Sequence, residues 1–158
     1  MKKQKGFSLI ELLIVVAIIL IIAAIAIPNL LRSRMAANEA SAVGSLRTIN
    51  TSAVTYSSTY PANGYPATLG VMGGAVPCTA AVATACLLDQ VLSLGTKSGY
   101  TFTFVGTAGS TPVVGYTTTA VPVSLGNSGQ RSFFSDQSGV IRYNTAGTAP
   151  TAADLPLQ

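Results

Sequence analysis

Apolar residues fall into three regimes along this chain. From Leu12 to Ile27 sixteen follow one another without a polar break, and counted from Phe7 the segment is 21 residues long. A helix needs about 20 to cross the hydrocarbon layer of a membrane. Beyond Pro28 the run becomes periodic. Leu31, Met35, Ala42, Leu46, Ile49, Ala53 and Tyr56 recur at steps of three, four or seven, the stripe of an amphipathic helix. Arg32, Arg34, Asn38, Glu39, Ser45, Arg47 and Asn50 fall largely off that stripe. The pattern predicts one helix over residues 7–57, apolar all round in its first half and packed on a domain in its second. Pro28 lacks an N–H and crowds the carbonyl of Ala24, so a kink is expected there.

The third regime begins after Tyr60, where Gly, Pro and Thr break the sequence into short pieces. Residues 58–98 read as a connecting loop with one short helix at Ala85–Leu94. Period-two segments follow over 99–143. Tyr100, Phe102 and Phe104 share a face, Val113–Val121 is rich in Val, Thr and Tyr, and Arg131–Ser135 and Val140–Tyr143 flank the turn Asp136-Gln137-Ser138-Gly139. This predicts an antiparallel meander of three or four strands, one face laid on the helical stripe, and so an α+β fold. Residues 144–158 lack periodicity and read as an exposed C-terminal tail.

Composition narrows the chemistry. The chain has nine basic and five acidic residues, a net charge of +4. Lys2, Lys3 and Lys5 supply three of those positive charges, so residues 7–158 carry six basic groups against five acids. That is no basic face for nucleic acid. Histidine is absent and the five acids are scattered, which argues against triads, general-base sites, metal centres and cofactor chemistry, and so against an enzyme. Cys78 and Cys86 enclose seven residues. In an extracytoplasmic domain two cysteines this close suit a disulfide, with about 2.5 kcal/mol from so small a ring. Two buried thiols and a two-ligand metal site are the alternatives.

Glu11 is the informative residue of the N-terminal segment, because a charge within such a run costs roughly 2.5–3.5 kcal/mol at a helix centre. A secretory signal would account for the lysines and for the small-x-small step Ala24-Ile25-Ala26, but it has no use for an acid. An uncleaved anchor with the lysines in the cytoplasm leaves the acid equally unexplained.

The stretch Lys2-Lys3-Gln4-Lys5-Gly6-Phe7-Ser8-Leu9-Ile10-Glu11, the apolar run behind it, Pro28 and the helix continuing past it resemble the class III leader and spine of type IV prepilins and type II secretion pseudopilins. The resemblance covers about residues 1–57. It implies cleavage after Gly6, removing residues 1–6, and N-methylation of the exposed Phe7 amine. It further implies that Glu11 pairs with that amine on a neighbouring subunit and sets axial register, and that Pro28 marks a bend. The implied partners are other copies of the chain in a helical homopolymer, a prepilin peptidase and N-methyltransferase, and an assembly ATPase with its platform protein. The implied location is the cytoplasmic membrane as a single-pass precursor with the head outside, then an extracellular pilus fibre. A major pseudopilin of a type II secretion system is the alternative, and a tethered adhesin or secreted domain without a fibre is the rival of another class. Two departures stand out. Many type IVa pilins carry a disulfide near the C-terminus, whereas both cysteines here precede the proposed sheet. Pseudopilins usually hold calcium in a C-terminal acidic cluster, whereas Asp136 and Asp154 stand without companions.

Overall fold

A computed structural model describes residues 7–109 and 111–157; the leader residues 1–6, Gly6 among them, lie outside that range. Helix α1 (Leu9–Thr59) contains Pro28 and is helical on both sides of it without interruption. Two short helices follow, α2 (Leu69–Met72) and α3 (Gln90–Ser93). The sheet then comprises β1 (Thr96–Lys97), β2 (Tyr100–Gly106), β3 (Tyr116–Pro122), β4 (Ser132–Asp136), β5 (Arg142–Asn144) and β6 (Leu155–Pro156). All neighbours are antiparallel and the spatial order is the sequence order. The fold is α+β, as the pattern indicates.

The chain divides into two compact units, Met1–Arg34 and Met35–Gln158. The first is, over its described residues, the apolar part of α1. Its large apolar side chains are exposed from Phe7 to Leu31, and this helix is long and apolar enough to cross a membrane. In the second unit the stripe turns inward. Ala42, Leu46, Ile49 and Ala53 are fully buried and join Met72, Leu92, Tyr100, Phe102, Phe104, Tyr116, Ala120 and Phe133 in one core. The stripe therefore starts later than its periodicity suggests: Leu31 is exposed and Met35 half-buried, because Leu31 belongs to the other unit.

Register explains the inner face. Phe102 lies opposite Ala120 and Ala120 opposite Phe133, so a small residue stands between two rings on adjacent strands. Strands β2 and β3 largely alternate buried and exposed, whereas four successive residues of β4, Ser132 to Ser135, are buried. The second face of β4 is not open because Phe134 stands in register with Arg142, whose Nη1 donates to the Asp154 carbonyl at 3.0 Å.

The sheet is wider than three or four strands at both edges. β1 and β6 have two residues each, too short to show a period. The tail expected as exposed coil supplies β6, held further by Leu157 N–H on the Ile141 carbonyl at 2.7 Å. The expected helix at Ala85–Leu94 is reduced to Gln90–Ser93, capped by Asp89, whose carboxylate accepts from Leu92 N–H at 2.9 Å. Residues 85–88 instead run beside α2: Ala85 N–H donates to Val71 O, Cys86 N–H to Gly73 O, and Leu87 and Leu88 N–H to Met72 O.

Candidate functional site: the N-terminal helix and its seam with the sheet

Glu11 is placed by the start of α1. Ser8 precedes the first helical residue, and its backbone N–H donates to Glu11 Oε2 at 2.9 Å. This is the reciprocal half of a capping box, in which an acid three residues into the helix reaches back to the residue before it. The sequence Ser8-Leu9-Ile10-Glu11 carries that S-x-x-E signature, a signal that the reading of Glu11 as an inter-subunit charge passes over. An acid in the first turn also meets the partial positive charge of the helix N-terminus. Phe7, four residues before it, is 89% exposed.

The seam between α1 and the sheet is more polar than a hydrophobic stripe implies. Glu39 is buried and its carboxylate is saturated: Oε1 accepts from the backbone N–H of Gln130 at 2.9 Å and of Arg131 at 3.2 Å, and Oε2 from Arg131 Nε at 2.7 Å. Burial raises the Glu39 pKa, but these hydrogen bonds and the Arg131 charge outweigh it and hold the carboxyl below its ordinary value. One residue earlier, Asn38 Nδ2 donates to the Ser128 carbonyl at 2.9 Å. Three turns on, Asn50 donates to Ser135 Oγ at 2.8 Å and accepts from Tyr116 Oη at 3.1 Å. Burial, with Tyr65 and Asp136 nearby, pushes the Tyr116 hydroxyl up to about 12. Asn38, Glu39 and Asn50 therefore face the sheet rather than solvent, and sequence reasoning missed them because they flank the apolar stripe. Their side chains hold the β3–β4 loop and the inner face of β3 and β4 to the helix.

At the C-terminal end of α1 the contacts are with the connecting loop. Ser52 Oγ donates to the Leu87 carbonyl at 3.2 Å and Tyr56 Oη to the Val82 carbonyl at 2.8 Å. Cys78 and Cys86 form a disulfide with Cα atoms 6.0 Å apart. A Cβ on Gly74 would overlap the Cys78 sulfur, so only glycine leaves room for the bridge. The structure thus places Phe7, Glu11 and Pro28 in one unit and the cysteine pair in the other. Among the described residues no group of three or more His, Cys, Asp or Glu gathers to hold a metal ion.

The family comparison bears on the first unit. Residues 1–27 match the family model described as the prokaryotic N-terminal methylation motif. The chain carries a class III prepilin leader. A curated relative, the type IV wide pilus major component PilA4 of Thermus thermophilus, is 64% identical over 39 residues. That match covers 25% of this chain and spans only 30% of the relative's length. No solved structure matches. The likeness is therefore to the type IV pilin family, and it rests on a motif that contains Gly6, Phe7 and Glu11.

Proposed function

We propose that this chain is the repeating subunit of a type IV pilus-like filament. The observation that carries the reading is the methylation motif over residues 1–27, which leads into a helix whose large apolar side chains are left exposed as far as Leu31. Processing would cut after Gly6 and methylate the Phe7 amine, which keeps its positive charge. Glu11 would then meet the Phe7 amine of a neighbouring copy, and the pairing would fix axial stagger, because an unpartnered buried carboxylate is costly and a paired one tolerable. Pro28 would mark the bend of the spine.

Before assembly the segment from Phe7 to Ile27 lies in the cytoplasmic membrane, with residues 58–158 on the outer side. Extrusion then exchanges lipid contacts for helix–helix contacts of similar polarity, which makes the step nearly neutral in hydrophobic free energy. A prepilin peptidase with N-methyltransferase activity, an assembly ATPase and its platform protein are the partners this route requires. The subunit's activity is assembly rather than catalysis. The similarity over 39 residues to a wide-pilus major component supports a pilin-like subunit, and a major pseudopilin of a type II secretion system is the second reading.

The test is processing. Mass analysis of the N-terminal peptide from the native cell envelope should find a start at N-methylated Phe7. Gly6→Leu should leave the uncut precursor, since a small residue must fit the peptidase at the scissile bond. An intact Met1 in the wild type, or normal cutting of the Gly6 variant, would remove the filament reading.

A further inference from the structure

On the helix side of the sheet, beside β5 and β6, Arg131 opens into a recess of about 350 Å³ walled by Tyr143, Leu155, Pro156 and Leu157. The guanidinium is held from several sides. Its Nε bonds to Glu39 Oε2 at 2.7 Å, and its central carbon lies 5.6 Å from the Phe133 ring centroid and 5.5 Å from that of Tyr143, within the range of cation–π attraction. The Arg131 side chain is nonetheless 38% exposed. Among the described residues neither Nη atom has a hydrogen-bond acceptor.

Holding Glu39 does not account for this arrangement. The tie to Glu39 uses one of the guanidinium's several N–H donors, and Glu39 is also met by two backbone N–H groups. The remaining fork edge is a rigid pair of parallel donors of the kind that takes a carboxylate in bidentate fashion. Around it the side chains of the wall are apolar and aromatic. Leu155 is 68% exposed, and Tyr143 presents a ring already used by the cation. A recess of this size, its lining shared evenly between polar and apolar surface around one well-placed charged group, has room for a small molecule.

We propose that this recess binds a small carboxylate carried on a flat or apolar body, the carboxylate on the Arg131 Nη edge and the body against Tyr143 and Leu155. The inference concerns the second unit alone and stands or falls apart from the filament reading.

The experiment is an NMR titration of the full chain in detergent micelles with benzoate, following the Arg131 Nε–Hε signal and the Tyr143 and Leu157 amides. Benzamide, of the same shape without charge, and acetate, with the charge but no body, are the companions. Benzoate should shift all three signals saturably, benzamide should leave them in place, and acetate should bind about tenfold more weakly. Arg131→Lys keeps a cation beside Glu39 but loses the fork, and should weaken benzoate by about tenfold. Leu155→Ala, at an exposed position, should weaken it a few-fold without unfolding the sheet. Equal shifts by benzoate and benzamide, no saturable shift, or undiminished binding by Arg131→Lys would each overturn the proposal.

Discussion

Glu39 shows how one side chain can tie a helix to a loop far along the chain. The residue is 8% exposed, yet each carboxylate oxygen is met by an N–H donor, so the cost of burying the charge is offset where it arises. The proton balance follows from the lowered pKa. The unfolded chain takes up a proton near the ordinary value of 4.5, and the folded chain only at lower pH. The contribution of Glu39 is therefore present above pH 4.5 and is lost as pH falls through the folded value. Glu39→Gln should cost about 1–3 kcal/mol at neutral pH, since the Arg131 guanidinium then lacks its counter-charge. The acid limb of stability should also be shallower than in the wild type. Urea unfolding followed by circular dichroism from neutral to acid pH checks both. Some acid slope should survive the substitution, because the Leu92 N–H, and then Lys97, hold Asp89 low as well, despite an opposing effect of burial. An unchanged slope would show that Glu39 does not titrate as described. None of this was legible from the stripe: Glu39 lies between the apolar positions Met35 and Ala42, where a charge reads as solvated until the β3–β4 loop is seen to arrive above it.

At the scale of elements, the connecting loop is fastened at more than one point. The Cys78–Cys86 ring closes it, the backbone of residues 85–88 pairs with residues 71–73, and Ser52 and Tyr56 reach it from α1. Replacing both cysteines by serine should therefore lower stability by about 2.5 kcal/mol, the ring-closure contribution, while the sheet stays formed. Calorimetry would give the loss. Limited proteolysis should cut first between Gly74 and Ala85, and a cut inside the sheet instead would count against the independent fastening. The same region shows what the sequence does and does not reveal. Tyr100, Phe102 and Phe104 declared β2 by strict alternation, and Asp136 to Gly139 declared its turn, with Gly139 at a φ of 74° that favours glycine. Helix α2, the two-residue edge strands and the burial of β4 on both faces had no such signal, and α3 was expected only as part of a longer helix. They are set by register and by distant partners such as Arg142 and Asp154, and period-based reasoning sees only an element's own spacing.

At the scale of the molecule, the boundary between units falls within α1 at Arg34, and it separates two kinds of apolar surface. Every large apolar side chain buried in the core comes from Ala42 onward, while those from Phe7 to Leu31 stand uncovered. A chain beginning at Met35 should therefore be soluble and monomeric by sedimentation, and should keep the strand content of the full protein. Aggregation of that fragment would mean that the core needs residues before Met35. Assembly turns on the other unit, and Glu11 is where its two roles can be parted. In the single chain the carboxylate accepts from Ser8 N–H; in the proposed fibre it also meets a neighbouring amine. Glu11→Val removes both contacts and relieves membrane insertion of an acid that costs roughly 2.5–3.5 kcal/mol at a helix centre. Glu11→Gln retains an acceptor for Ser8 and removes only the charge. Both variants should insert and be processed, and both should fail to form filaments as the sole subunit when the cell surface is imaged. Filaments from Glu11→Gln but not from Glu11→Val would assign the residue to helix capping instead of to inter-subunit charge, and filaments from both would remove Glu11 from assembly altogether.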